Sequence, residues 1–131
     1  VYGPRQRPDL EGGVVAIFHD LMKKNKEVIF YGDGKQTRDW IHVEDIIKAF
    51  TLVLENSLSN FDIITLGSGI RNTLWDLFHY LSTAMHYKKS PIIEKERDGD
   101  IKDMCMSGKK VKKLLQWEPI IKLADGMKML S

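Results

Sequence analysis

The run Tyr31-Gly32-Asp33-Gly34-Lys35-Gln36-Thr37-Arg38-Asp39-Trp40-Ile41-His42-Val43-Glu44-Asp45-Ile46 leaves this chain few ways to fold around it. A β-rich stretch, Val28-Ile29-Phe30-Tyr31, leads in, and Gly32 and Gly34 allow the positive φ angles of a tight turn. The chain then re-enters an extended run, Trp40-Ile41-His42-Val43. Alternation there sends Trp40 and His42 to one face and Ile41 and Val43 to the other. A helix follows, with Glu44 and Asp45 placing negative charge at its N-terminus, and Ile46, Ile47, Phe50, Val53 and Leu54 expected to form its buried stripe. Arg38 stands on the Gly-hinged connection, where a guanidinium's fixed donors suit an anionic ligand such as phosphate. On spacing alone, a surface hairpin with a solvated arginine is the stronger reading.

Two look-alike motifs are set aside on physical grounds. Tyr31 and Lys35 spell Tyr-x-x-x-Lys, a pair that works only when a helix stacks both side chains on one face, and a Gly-Asp-Gly interior does not support a helix. Gly67-Ser68-Gly69-Ile70-Arg71-Asn72, between a strand candidate and a helix, imitates a dinucleotide-binding turn. Asn72 stands in the place of its third glycine, and no clear strand-end acid for a ribose follows about 20 residues on.

The remaining chain reads as alternating helices and short strands. Residues 1–11 are irregular, with Pro4 and Pro8 removing backbone donors. From Gly12, the spacing of Val14, Val15, Ile17, Phe18, Leu21 and Met22 predicts a helix, closed by Lys23, Lys24 and Lys26. Residues 28–31 read as a strand, 56–60 as a polar loop and 61–66 as another strand. Thr73 caps a helix whose stripe is Leu74, Leu77, Phe78, Leu81 and Met85. Ile92-Ile93 makes a short strand and Arg97-Asp98-Gly99-Asp100 a turn. A short basic helix spans 109–115 with Val111, Leu114 and Leu115 inward, Trp117-Glu118-Pro119 ends it, and a last helix covers about 121–130, weakened by Gly126.

Composition excludes several function classes. With 131 residues the chain suits one modest domain, and 43% hydrophobic with 29% charged residues reads as soluble and globular. A net charge of +2 gives no general polyanion-binding field, so no nucleic-acid partner is expected; the lysines at 109, 110, 112 and 113 read as a solvated face. The single cysteine, Cys105, allows no internal disulfide and fits a reducing, cytoplasmic compartment. Its spacing to the four histidines suits no zinc site. No apolar run is long enough to span a membrane. The opening Val1-Tyr2-Gly3-Pro4-Arg5-Gln6 has no Met and reads like a strand end and turn, as expected of a piece of a longer protein.

Six motifs in order carry a resemblance: Val1-Tyr2-Gly3-Pro4-Arg5-Gln6, Gly12-Gly13-Val14-Val15-Ala16-Ile17-Phe18, Gly32-Asp33-Gly34-Lys35-Gln36-Thr37-Arg38-Asp39, Leu66-Gly67-Ser68-Gly69, Arg97-Asp98-Gly99-Asp100 and Trp117-Glu118-Pro119. In this order and spacing the chain resembles the C-terminal half of extended short-chain dehydrogenase/reductases, the NAD-dependent nucleotide-sugar epimerases and dehydratases, and most of all the UDP-glucose 4-epimerases. The resemblance implies an α/β fold: the C-terminal substrate-binding portion of an extended Rossmann-type epimerase, with helices and short strands. It covers residues 1–131 as a nucleotide-sugar-binding region, with the NAD-binding Rossmann domain and its catalytic Ser/Thr and Tyr-x-x-x-Lys upstream and absent from this chain.

Carried over residue by residue, Gly13 and Val14 match the loop-to-helix start whose backbone approaches the nucleotide. Val28 and Tyr31 bound the strand that packs against the uracil ring, with Tyr31 supplying a stacking face. Arg38 matches the arginine that grips the diphosphate, and Arg97 a second one, with Asp100 near the ribose or orienting Arg97. Trp40 stands where these enzymes often have Tyr or Phe, and Leu74 matches an apolar pocket position. Asp39, His42 and Asp45 read as structural, through turn hydrogen bonds and capping. Met104, Ser107-Gly108 and Gln116 depart from the pattern, replacing a tyrosine, an Ala-Asp pair and a glycine.

The resemblance therefore implies a UDP-sugar substrate, NAD held outside this chain, a homodimeric full-length parent that interconverts UDP-glucose and UDP-galactose, and no activity in these residues alone. A dTDP-glucose 4,6-dehydratase, a UDP-glucuronate-processing relative, and a non-catalytic binding module or remnant are the competing expectations.

Overall fold

A computed structural model describes residues 1–9, 13–56 and 63–131. Along it run α1 (Val14–Lys23), β1 (Ile29–Tyr31), β2 (Thr37–Arg38), α2 (Val43–Glu55), β3 (Asn72–Thr73), α3 (Leu74–Ala84), β4 (Ile92–Glu94), α4 (Lys109–Leu115) and α5 (Leu123–Lys128). β1 pairs in parallel with β4, matching Phe30 to Ile93, and β2 pairs antiparallel with β3, matching Arg38 to Asn72. The strands on either side of the Gly32–Gly34 turn thus pair with other partners, not with each other. No hairpin forms; the two glycines, at φ 84° and 75°, turn the chain from one small sheet into the other.

The main core lies between α1, β1, α3 and α5. Phe30 is fully buried at its centre, stacked on Phe18 at 5.6 Å and met edge-on by Phe78 at 5.6 Å. Leu77, Leu81 and Met127 close around it, each with no exposed surface. Full burial of such side chains contributes about 1.5–3 kcal/mol each, which fixes β1 firmly on this side. The expected cap of α3 is present as a capping box: the Thr73 hydroxyl accepts from the Asp76 amide, and the Asp76 carboxylate accepts from the Thr73 amide. A second, smaller core gathers Ile41, Ala49, Val111, Leu115 and Trp117 between α2 and α4.

Several sequence expectations are corrected. The extended run at 40–43 is shorter than expected: β2 stops at Arg38, His42 keeps an extended backbone that makes an isolated parallel bridge to Tyr2, Ile41 and His42 are both buried, and Val43 already belongs to α2. His42 turns inward because its Nδ1 caps α2, accepting from the Glu44 amide at 3.3 Å. The predicted buried stripe of α2 is largely on the outside, with Ile47, Phe50 and Leu54 exposed by 57%, 64% and 83%. α2 instead buries Asp45 and Ala49 against the second core, because the Asp45 carboxylate accepts from the amides of Ile120 and Ile121 and orients the helix that way. Of the strand expected over 61–66, residues 61 and 62 lie outside the described residues, as do 57–60 of the predicted loop and Gly12 at the predicted start of the first helix. Residues 63–66 form no strand, and Ile64 and Leu66 pack on the second core instead. Leu114 is 43% exposed, leaving Val111 and Leu115 as the inward residues of α4.

The last helix is short, and Gly126 explains its residue type: a Cβ there would stand 1.9 Å from the Tyr2 hydroxyl. The glycine that looks like a weakness in the sequence admits the buried Tyr2 ring against α5.

Candidate functional site

A cavity of about 660 Å³ opens over β1, within the size range of small-molecule sites. Its floor follows from strand geometry. With Phe30 committed to the core, alternation turns Ile29 and Tyr31 upward, and both line the cavity. Val28 does not. It is fully buried beneath the floor, so the apolar residue that β1 offers a ligand is Ile29.

The wall is α1. Its apolar residues exceed what one buried stripe requires: Val15, Phe18 and Met22 are buried in the core, and beside them Val14, Ile17 and Leu21, spaced i, i+3 and i+7 and less buried, line the cavity together with Val15 and Phe18. That surplus was the signal available in the sequence for Ile17 and Leu21 as site residues. Gly13 lines the entrance, where a Cβ would come within 3.1 Å of the Gln6 amide nitrogen. Leu74, at the start of α3, and Trp40 complete the apolar side.

Polar groups converge on this surface from separate segments. Arg38 and Arg97 are the two cationic side chains lining it, with Glu27, Asp39 and Asp100 the acidic ones. Arg38 is steadied by its own strand, donating from Nη1 to the Thr37 carbonyl at 2.8 Å. The Arg97 guanidinium lies over the Tyr31 ring, its Cζ 3.6 Å from the ring centroid. Such a cation–π contact at an exposed position contributes about 0.5–1 kcal/mol. Asp100 meets Arg97 through the backbone, its amide donating to the Arg97 carbonyl at 3.3 Å in the turn at Gly99.

Asp39 acts at a distance from its neighbours in sequence. Its carboxylate accepts from the Ser68 amide at 2.9 Å, the Gly69 amide at 3.1 Å and the Met106 amide at 3.4 Å, and also from the Ser68 hydroxyl. One side chain therefore ties the Gly67–Gly69 loop and the segment at 105–106 to the end of β2, which carries Arg38. The Cys105 thiol, 3.8 Å from the same carboxylate, is pushed above its ordinary pKa by burial and by that charge. On the far side, Thr37 and Arg71 both bond Asp103, which holds the Asp103 carboxyl below the usual carboxylate range. These links fix the backbone frame in which Arg38 and Met104 reach the cavity.

Eight of the nine expected site residues thus line one cavity: Gly13, Val14, Tyr31, Arg38, Trp40, Leu74, Arg97 and Asp100. Besides Ile17 and Leu21, the lining residues that sequence reasoning missed include Gln6, Glu27, Ile29 and Gln36. Ile29 was legible from alternation about Phe30; Glu27, two residues before β1, and Gln36, whose side chain donates to the Tyr31 carbonyl at 3.3 Å, carry no local signal.

Comparison with known proteins bears on what this frame belongs to. Residues 1–67 match the profile of the NAD dependent epimerase/dehydratase family. This chain belongs to that family. Over 128 residues it is 37% identical to a putative UDP-glucose 4-epimerase of Methanocaldococcus jannaschii, covering 98% of this chain and 41% of that protein. It is 30% identical over 129 residues to the UDP-glucuronate 4-epimerase of Thermodesulfobacterium geofontis, covering 98% of this chain and 38% of that one. The crystal structure of UDP-glucose 4-epimerase from Thermotoga maritima with UDP-glucose superposes with a TM-score of 0.91 at 36% identity, over 98% of this chain and 41% of that one. The chain spans about two fifths of the length of the relatives it matches.

The family is NAD-dependent, and the described residues can be tested for a place to hold that cofactor. They do not offer one at the turn that imitates a dinucleotide fingerprint. The amides of Ser68 and Gly69, which such a turn would aim at a pyrophosphate, already donate to Asp39.

Proposed function

We propose that these residues form the UDP-sugar-binding region of an NAD-dependent nucleotide-sugar epimerase of the UDP-glucose 4-epimerase type. One observation carries the reading: a single cavity collects an aromatic ring on a strand, an apolar helix wall and two arginines from segments far apart in the chain. A planar base suits Ile29 and Tyr31, and a diphosphate suits Arg38 and Arg97. Charge-assisted hydrogen bonds contribute about 1.5–3 kcal/mol each, so two arginines on one diphosphate supply a large part of nucleotide affinity.

In this reading NAD and the hydride-transfer residues are supplied by sequence outside these residues, and the part described here holds the nucleotide while the sugar reacts. Anchoring a remote part of the substrate is a standard use of binding energy in catalysis. A neutral hexose fits better than a uronate. The cavity's two cations are both committed to the diphosphate, and Glu27 and Asp100 would repel a further carboxylate.

Thermal-shift titration with UDP, UDP-glucose, UDP-glucuronate and dTDP tests this. Ligand at about 100 times its dissociation constant should raise stability by roughly 2.7 kcal/mol. UDP and UDP-glucose are expected to stabilise the chain, with dTDP and UDP-glucuronate weaker, and Arg38→Ala should abolish most of the shift. An equal response to dTDP would point to a dehydratase-type parent, and no response to any nucleotide would overturn the reading.

A further inference from the structure

Two residues of the larger cavity compete for one another. Tyr31 offers the flat face best suited to a planar ring, yet the Arg97 guanidinium already lies on it at 3.6 Å. Tyr31 borders both the larger cavity and a smaller one beside it, whereas Arg97 borders only the larger. Tyr31 and the guanidinium that covers it therefore line the larger cavity together.

The two arginines are held differently. Arg38 is anchored by its bond to the Thr37 carbonyl. Arg97 is exposed, sits between β4 and the turn at Gly99, and among the described residues rests its guanidinium on the ring alone. A guanidinium is planar and weakly hydrated, so it covers an aromatic face well. It also binds phosphate more strongly than it binds a ring in contact with water.

We propose that Arg97 is a displaceable cover on Tyr31: a nucleoside diphosphate lifts it from the ring, stacks its base on the face so exposed, and captures the lifted guanidinium with its diphosphate. This rests on the nucleotide-sugar reading and adds to it an exchange that couples base entry to phosphate capture. A nucleoside without phosphate must take the ring from Arg97 and returns nothing to the guanidinium. A nucleoside diphosphate replaces the lost contact with a stronger one. The cover thus discriminates against unphosphorylated nucleosides.

The consequence is a change of opposite sign in one variant. In the full chain, Arg97→Ala should bind UDP roughly two- to seventyfold more weakly, because the lost phosphate contact outweighs the cost of uncovering the ring that the variant no longer bears. The same substitution should bind uridine about two- to fivefold more tightly, because the ring is uncovered. Arg97→Lys, which keeps the charge without the flat stack, should raise uridine affinity while losing less UDP affinity than Arg97→Ala. Both can be read by NMR titration. In the wild type the Arg97 side-chain protons should be shifted upfield by the Tyr31 ring current, moving downfield as UDP is added. Arg97 is exposed, so neither substitution touches the core.

If UDP binding falls in Arg97→Ala while uridine binding is unchanged or weaker, Arg97 serves the phosphate and covers nothing. That outcome overturns the exchange and leaves the nucleotide reading standing. If wild-type chain binds no UDP, both fall.

Discussion

Tyr2 shows how much of this fold hangs on single buried side chains. It is 2% exposed, meets His42 edge-on at 5.3 Å, and presses its hydroxyl against Gly126. Burial, and after it the charges of Asp45 and Asp125, push its phenol well above the ordinary range. Tyrosine in the unfolded chain ionises near pH 10, while the folded phenol keeps its proton. Stability contributed by Tyr2 is thus complete below about pH 10 and is lost as pH rises further. Urea-unfolding midpoints measured from pH 8 to 11 should fall along this limb, and Tyr2→Phe should flatten it. Asp39 teaches a related lesson. Its residue type was legible as a hydrogen-bonding turn residue, but its partners at 68, 69 and 106 follow from tertiary contact alone.

At the scale of elements, local chemistry was a reliable guide where one face of a helix decided its placement. The α3 stripe appears as the spacing of Leu74, Leu77, Phe78 and Leu81 predicts, and Thr73 caps the helix as expected, with Asp76 completing a capping box. α1 and α2 defeated the same logic for opposite reasons: α1 has two apolar faces because one lines a cavity, and α2 has an apolar face that nothing described here covers. Gln116, noted in the sequence as standing where glycine is usual, closes α4 in the left-handed conformation at φ 52°. A non-glycine residue there costs roughly 1–2 kcal/mol. Gln116→Gly is therefore expected to raise the melting temperature, by an amount worth about 1 kcal/mol, without changing nucleotide affinity. Differential scanning calorimetry with and without UDP checks both halves.

For the whole molecule, the exposed face of α2 sets solution behaviour. Ile47, Phe50 and Leu54 lie one to two turns apart, each more than half exposed. Contiguous apolar surface of this kind promotes association in water. Sedimentation velocity should show the chain associating at micromolar concentration, and Phe50→Glu together with Leu54→Lys should shift it toward monomer. The far-UV circular dichroism of that variant should be unchanged, since the α2 residues that pack inward are Asp45, Ala49, Ile46 and Leu52.

By itself, the sequence determined the order of the helices, the glycine turns, the cap at Thr73 and the residue types gathered at the cavity, because these depend on periodicity, backbone freedom and side-chain chemistry within a few residues. The tertiary structure alone decided that Glu27 and Gln36 line the same cavity as Arg38. It alone decided that the strands beside Gly32 and Gly34 never pair with each other, and that Arg97 rests on Tyr31. Each of those outcomes is a choice among partners distant in the chain, and that choice is made by which side chains win the core.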